Sequence, residues 1–185
     1  MPPELQLDLI EAAEKRETPA IKQKLARYHA RKQKLGPLAE YDDLLFGGNA
    51  AQGRRIFFDR PDAQCVRCHK ANGQGGDVGP DLSHVAAQKE RSFLLESIVF
   101  PNNQIAPGFE SAIVTLKNDE VVAGVVKSET ATELVLNSPQ TGIMRINKTD
   151  IASRNKALSP MPEGLAKILS REDLRNLVEF LGGLK

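Results

Sequence analysis

The chain has 185 residues, 41% of them hydrophobic, and a formal net charge of +1. This length suits one domain or a domain with appendages, and the hydrophobic content is sufficient for a sizeable core. A net charge this close to zero argues against long-range capture of nucleic acid or of a strongly acidic partner. No apolar run has membrane-spanning length, so we expect no transmembrane segment.

Residues 1–46 are expected to form a helical extension. Thr18 followed by Pro19 is typical of a helix start, so a helix is predicted from about 19 to 35. It contains six basic residues and no acidic one. Such a helix can be a docking surface, but we favour a solvated face paired with the acidic segment before it. Ahead of it, three apolar residues recur at helical spacing: Leu5, Leu9 and Ala12.

Cys65 and Cys68 are the only cysteines, and His69 follows the second directly. Two thiols at this spacing can bond the vinyl groups of a porphyrin, and the adjacent imidazole can bind its iron. The motif therefore predicts covalent attachment of one c-type haem. Zinc is disfavoured because it takes about four ligands and no second cysteine pair exists. A redox dithiol would not need His69 at that position, and a chance match in a loop is the remaining alternative.

A glycine-rich stretch over residues 73–82 follows the motif, and a chain with so little side-chain bulk can pass close to a flat macrocycle. Here the sequence resembles the class I cytochromes c, in which a Gly-Pro after the haem histidine supplies a carbonyl that accepts the Nδ1 proton of that histidine. The resemblance implies that Pro80 orients His69 and strengthens it as an iron ligand. The alternative for Gly79 and Pro80 is an ordinary turn.

The candidates for the sixth iron ligand are few: Met1, Met144, Met161, His29 and His84. The resemblance favours Met161, which lies in a proline-flanked loop before a helical C-terminus, where class I cytochromes carry their axial methionine. Met144 belongs to a strand-like segment and is expected in a core. His84 suits a surface role, and His29 suits a packing position on a helix.

The flanking helices also have sequence signals. Asn49 is expected to cap a short helix containing Gly53 and Phe57, a pair that in class I cytochromes crosses the C-terminal helix at close range. Residues 170–173 fit a capping box at the start of that C-terminal helix. Its buried stripe is predicted at Leu174, Leu177, Val178 and Leu181. A further helix from about residue 89 to 100 would flank the haem.

Between that helix and the methionine loop, residues 109–154 change to strand patterning. Four strands are indicated, at residues 112–116, 121–126, 134–136 and 143–146. They would form a small antiparallel sheet or barrel with its own core, entering and leaving the haem domain at neighbouring points. The expected class is α+β: a mainly α-helical class I cytochrome c fold with this β insert and the N-terminal extension. The expected divisions are 1–46, 47–108, 109–154 and 155–185.

This combination resembles the haem-binding domain found at the C-termini of large proteins from Planctomycetes and Verrucomicrobia. The matching stretches cover about residues 46–185: 65–70, 75–82, 94–98, 105–111, 161–165 and 177–181. In that family the domain often follows helical repeats and a dehydrogenase-like β-propeller. The resemblance therefore implies a redox partner protein or a fused dehydrogenase domain.

Residues 1–4 have neither the basic start nor the apolar run of a secretory signal. Attachment of haem to this motif resembles a process carried out after export. We therefore expect a mature part of a longer exported polypeptide, periplasmic or otherwise exported.

The sequence thus predicts a monohaem c-type cytochrome that carries single electrons between an exported dehydrogenase and a respiratory acceptor, and that is not an enzyme by itself. Cys65 and Cys68 would hold the haem, His69 and Met161 would bind its iron, and Pro80 would tune His69. Two alternatives stay open. One is a haem-based sensor or peroxidase-like protein with a labile sixth ligand, and the other is an interaction module in which haem is structural.

Overall fold

The computed structural model describes residues 2–185. Its α-helices are α1 (Gln6–Glu14), α2 (Pro19–Gln33), α3 (Ala50–Asp59), α4 (Cys65–Cys68), α5 (Arg91–Val99), α6 (Leu165–Ile168) and α7 (Arg171–Leu181). Its strands are β1 (Lys70–Ala71), β2 (Gln74–Gly75), β3 (Ser111–Leu116), β4 (Val121–Glu129), β5 (Glu133–Ser138), β6 (Gly142–Asn147) and β7 (Ile151–Lys156). Among residues 2–185, none of the helices combines the length and the hydropathy needed to cross a bilayer.

Helices α3 and α7 cross at the centre of the main core. A side-chain carbon added at Gly53 would lie 1.9 Å from the carbonyl oxygen of Asn176, so this approach of the two backbones requires glycine. Beside the crossing, the rings of Phe57 and Phe180 pack with their centroids 5.7 Å apart. The predicted crossing of these two helices at Gly53 and Phe57 is confirmed.

The ends of α3, α5 and α7 agree with the signals in the sequence, whereas Thr18 at the start of α2 makes no side-chain capping hydrogen bond. The Asn49 side chain accepts a hydrogen bond of 3.1 Å from the backbone N–H of Gln52, which caps α3. Ser170 and Asp173 form the predicted capping box of α7, each side chain bonded at 3.0 Å to the backbone N–H of the other residue. Helix α5 ends at Val99, two residues before Pro101, as expected where proline cannot continue a helix.

The N-terminal segment packs into the same core as α3 and α7. Leu7 and Leu44 are fully buried in the cluster that also contains the buried residues of α7. The helix predicted ahead of Thr18 is present as α1, but Leu5 and Leu9 are more than half exposed. The buried face of α1 instead carries Leu7 and Ile10, because that face meets the core.

Basic residues of α2 form ion pairs with the segment before the helix and with the segment after it. Lys22 pairs with Glu17 of the preceding segment at 2.8 Å, as predicted. The buried Lys32 pairs instead with residues that follow the helix, its Nζ lying 2.6 Å from carboxylate oxygens of both Asp42 and Asp43. The fully buried Asp43 also accepts from Arg171 of the C-terminal helix, which ties the extension to α7.

Strands β3 to β7 form one antiparallel sheet in the order β6-β5-β4-β3-β7. One face carries a separate core whose buried members are Ala112, Val114, Leu134, Leu136 and Ile146. The four predicted strands are confirmed, and β7 is an additional one. Strand β7 lies at the sheet edge and is almost entirely exposed, so it has no apolar alternation that could have predicted it. The sheet begins and ends at neighbouring points, since the N–H of Ala157 donates to the carbonyl of Ser111 at 2.9 Å.

Candidate haem site

Cys65 and Cys68 lie in the single helical turn α4, and His69 follows in an extended conformation. The N–H of His69 donates to the carbonyl of Cys65 at 2.9 Å, which closes the turn. Residues three apart on a helical turn share one side, so both thiols face the same way. Both cysteines are free and half-buried.

The thiols do not fit a redox pair or a zinc site. Burial raises the pKa of the Cys65 thiol to about 11, and burial also raises the pKa of Cys68 above its ordinary value. A reactive dithiol requires the thiolate, which a lowered pKa favours. Across residues 2–185, no group of three or more His, Cys, Asp or Glu side chains is arranged to hold a metal ion. Covalent attachment as thioethers does not require a stable thiolate in the finished protein.

His69 is held by the loop that passes over its ring. Its Nδ1 lies 3.0 Å from the carbonyl oxygen of Pro80. A side-chain carbon added at Gly79 would lie 2.6 Å from Cε1 of the imidazole, so the loop backbone packs directly on the ring. Burial lowers the pKa of His69, against the opposing effect of the Pro80 hydrogen bond, and favours the neutral imidazole that binds metals. With Nδ1 engaged, Nε2 is left for iron, and the residues fit a covalently held haem.

The loop is itself bonded along the attachment segment. The hairpin of β1 and β2 reverses the chain after His69. Backbone N–H groups of the returning chain then donate to carbonyls of the segment, from Gly79 to Cys68 at 2.8 Å and from Leu82 to Lys70 at 2.7 Å. The Pro80 carbonyl is therefore placed by a backbone ladder as well as by its own hydrogen bond.

The two internal methionines lie in different cores. Met161 packs against the main cluster, the one that Cys65 and Val66 also contact. Met144 packs against the cluster of the β-sheet, where its sulfur accepts a hydrogen bond of 3.2 Å from the Thr141 hydroxyl. The predicted core position of Met144 is confirmed, and Met161 is the methionine that shares a cluster with the CxxC turn.

The loop that carries Met161 is anchored by Asn102. The Asn102 side-chain oxygen accepts from the N–H of Ser159 at 2.8 Å, and its amide nitrogen donates to the Glu163 carboxylate. Within the loop, the N–H of Met161 donates to the Ser159 hydroxyl at 3.2 Å. Sequence reasoning missed Asn102, because no motif marks an asparagine that bonds a segment more than fifty residues away.

The other candidate ligands lie elsewhere or outside the described part of the chain. His84 is exposed. His29 packs edge-on against Tyr28 and lies 3.5 Å from Glu14, at a cavity of about 490 Å³ to which residues 65–80 contribute nothing. Met1 lies outside the described residues.

Residues 50–118 match the family model described as Cytochrome c. Over these residues the match supports a cytochrome c domain. This match implies covalently bound haem c and supports haem-based electron transfer, and the helices together with the sheet fit the α+β class. The matched range includes the CxxCH motif, Pro80 and α5, and it ends before Met161. No curated protein matches the chain.

The sheet contacts the haem-attachment part of this cytochrome c domain. Arg67, between the two cysteines, donates to the carbonyl of Pro139 at 3.2 Å. Lys127 donates to the carbonyl of Asp77 at 2.7 Å, and the Asn137 side chain lies 3.4 Å from the Asp77 carboxylate. Sequence reasoning missed these contacts, because they join residues at least 50 positions apart and no local pattern indicates them.

Proposed function

We propose that the chain is a monohaem c-type cytochrome that carries single electrons. Cys65 and Cys68 would hold the haem through thioethers, and His69 and Met161 would bind its iron. The observation that carries the proposal is the setting of His69. It directly follows the two thiols, its Nδ1 is bonded to Pro80, and its ring is packed against Gly79.

Haem c supplies the one-electron exchange between ferric and ferrous iron. The Pro80 carbonyl accepts the Nδ1 proton of His69 and thereby makes Nε2 a stronger electron donor. The soft thioether of Met161 favours ferrous iron and raises the potential above that of a bis-histidine site in the same pocket. With both protein ligands bound, iron would have no open position for a substrate, so the chain would act as a carrier and not as an enzyme by itself.

The anchoring of the Met161 loop favours this carrier over a sensor or peroxidase. Both ends of the loop are bonded to one side chain, Asn102, which restrains the methionine against departure. A labile sixth ligand requires a loop that opens easily. The loop as folded therefore supports a permanent His/Met pair.

We further assign the chain to the exported haem-binding type of Planctomycetes and Verrucomicrobia, on the resemblance of its motifs. Its class I cytochrome c domain comprises residues 47–108 and 155–185, with the insert at 109–154 and the extension at 1–46. Its electrons come from an exported dehydrogenase, fused or separate, and pass to a respiratory acceptor. The location is periplasmic or otherwise exported.

Covalent attachment is tested directly by expression in a host with exported haem-attachment machinery. The denatured protein should keep its haem through acid–acetone extraction, and its intact mass should exceed the chain mass by one haem. Colourless protein with two free thiols from the same host would contradict the proposal.

The axial methionine is tested by Met161→Ala, with Met144→Ala as the matched control. The wild type should be low-spin in both oxidation states and show the weak far-red sulfur-to-iron band of ferric haem. Met161→Ala should abolish this band, lower the potential and open ferrous iron to carbon monoxide. Met144→Ala should change only packing in the sheet. A wild type that lacks the band and binds carbon monoxide readily would favour the sensor or peroxidase function instead.

A further inference from the structure

We infer that the β-sheet insert positions the iron ligand His69, with Val125, Asn137 and Lys127 as the positioning residues. They hold the loop of residues 77–80 and, through it, the carbonyl that accepts the imidazole proton. The inference rests on the proposed haem ligation by His69, and it gives the insert a role in that site.

Two polar contacts join the insert to the start of this loop. Lys127 of β4 donates to the Asp77 carbonyl at 2.7 Å, with its ammonium group 5.0 Å from the centre of the Phe109 ring. The Asn137 amide of β5 reaches the Asp77 carboxylate at 3.4 Å, a long hydrogen bond. Asp77 lies three residues before Pro80, so both contacts act on the loop close to the carbonyl that orients His69.

A buried row on the sheet supports the same contact. Ser111, Val125 and Asn137 are 5%, 0% and 3% exposed. They lie directly opposite one another on three neighbouring strands, so they share one face of the sheet. None belongs to the core of the insert, which occupies the other face. Since Asn137 in this row reaches Asp77, the face is the one that packs on the loop.

The loop contributes a buried residue of its own. Val78, the neighbour of Asp77, is 8% exposed and belongs to neither the main cluster nor the cluster of the sheet. Val125 of the sheet is likewise buried and belongs to neither cluster. We infer that these two valines form a small apolar contact between loop and sheet.

A third contact joins the insert to the segment that carries the two cysteines. The turn between β5 and β6 offers the Pro139 carbonyl to Arg67, which lies between the two cysteines. The insert thus touches both the segment that carries the thiols and the loop that covers the histidine. An element bonded to both fixes their relative position.

This placement affects the electronic properties of the ligand. Electron donation by an iron-bound imidazole depends on the hydrogen bond at its other nitrogen. If the loop loosens, the bond from His69 to Pro80 weakens, and ferric iron is stabilised less. Loss of the insert's hold should therefore raise the reduction potential and speed hydrogen exchange in the loop.

The matched test compares Val125→Ala with Val114→Ala in the haem-loaded protein. Both valines are fully buried in the sheet, and the same two methyl groups are removed, but Val114 belongs to the insert's own core. Val125→Ala should raise the potential and speed exchange of the Gly79 and Leu82 amide protons by about tenfold, as a loss of ~1.4 kcal/mol would. Val114→Ala should weaken the sheet and leave both readouts at wild-type values.

A second pair avoids any risk to folding, because its residues lie at the surface. Lys127→Met should raise the reduction potential and speed amide hydrogen exchange in the loop, as Val125→Ala should. Lys127→Arg should restore the wild-type values, because it keeps a cationic donor to Asp77. Lys148→Met is the control, since Lys148 pairs with Glu129 inside the insert at 2.7 Å. It should leave the potential and the loop amides unchanged.

The outcomes separate this inference from the proposed function. If Val125→Ala and Lys127→Met match their controls in reduction potential and amide exchange, the insert does not position His69. The carrier function still stands in that case, provided that the wild type shows His/Met spectra. A wild type without covalently bound haem overturns the proposed function, and the positioning of an iron ligand falls with it. Parallel changes in both test variants, with rescue by Lys127→Arg, support the inference.

Discussion

The N-terminal segment and the β-sheet are joined to the core around α3 and α7 in opposite ways. The N-terminal segment contributes the fully buried Leu7 and Leu44 to the main core. The sheet, over residues 111–156, buries its own cluster and reaches the haem-attachment segment by three polar contacts and one buried row. The difference shows that the segment before α3 is integral to the main core, while the sheet after α5 is nearly self-contained.

The largest expected effect is the difference in stability lost when the N-terminal segment or the sheet is removed entirely. Removing residues 1–45 should abolish or severely weaken cooperative unfolding of the haem domain, because fully buried leucines leave the main core and each costs about 2–5 kcal/mol. Replacing residues 112–155 by a short Gly/Ser linker should keep that core complete, since none of its members lies in this range. Thermal unfolding followed by helical circular dichroism measures both. A greater loss from the second change would contradict the comparison.

A smaller effect is expected for one buried charge that joins the N-terminal segment to α7. Asp43→Ala should lower the free energy of unfolding by about 3 kcal/mol, because it leaves buried Lys32 and the guanidinium of Arg171 short of a carboxylate. Asp42→Ala is the control, since Asp42 pairs with the same lysine but is 45% exposed at its side chain. Denaturant titration compares the two, and equal losses would contradict a special role for the buried carboxylate.

The ion pair of Asp43 and Lys32 should stabilise the attachment of the N-terminal segment within a defined pH range. Burial alone would raise the pKa of Asp43, but hydrogen bonds from Lys32 and Arg171 outweigh it and hold this pKa below 3.8. Burial alone would lower the pKa of Lys32, but hydrogen bonds with Asp42 and Asp43 outweigh it and raise this pKa above 10.5. The stabilising contribution of Asp43 is therefore present above pH 3.8 and lost as pH falls through its folded pKa.

The stabilising contribution of Lys32 is present below pH 10.5 and is lost as pH rises through its folded pKa. Unfolding measured across pH should show both losses in the wild type. In Asp43→Ala the acidic loss should shrink. An acidic loss of the same size in wild type and variant would assign it to other carboxylates.

The smallest expected effect lies on the surface of the sheet. Hydrogen bonds from Lys148 and Arg154 lower the pKa of Glu129 to about 2. Lys148→Met should move this pKa upward, toward the ordinary value of 4.5, as measured by NMR titration of the carboxyl carbon. Stability at neutral pH should hardly change, because exposed ion pairs contribute little. An unchanged pKa would show that Arg154 alone sets it.

Sequence reasoning succeeded where the signal is local. The caps at Asn49 and Ser170 depend on side chains bonded within three residues, and both were predicted. The crossing at Gly53 was also predicted, through the resemblance to class I cytochromes. Strand β7 was missed because an exposed edge strand needs no apolar alternation.

The sequence by itself determined the CxxCH motif, the caps of α3 and α7 and the approximate positions of β3 to β6, because these depend on residues close together in the chain. The bond from His69 to the Pro80 carbonyl was expected only through the resemblance to class I cytochromes c. Only the tertiary structure decided which face of α1 is buried, that Met144 and Met161 lie in different cores, and that the sheet contacts Arg67 and Asp77. These outcomes depend on which surfaces meet after folding. Contacts between residues so distant in sequence are set by the packing of whole elements, which leaves no periodic pattern in the chain.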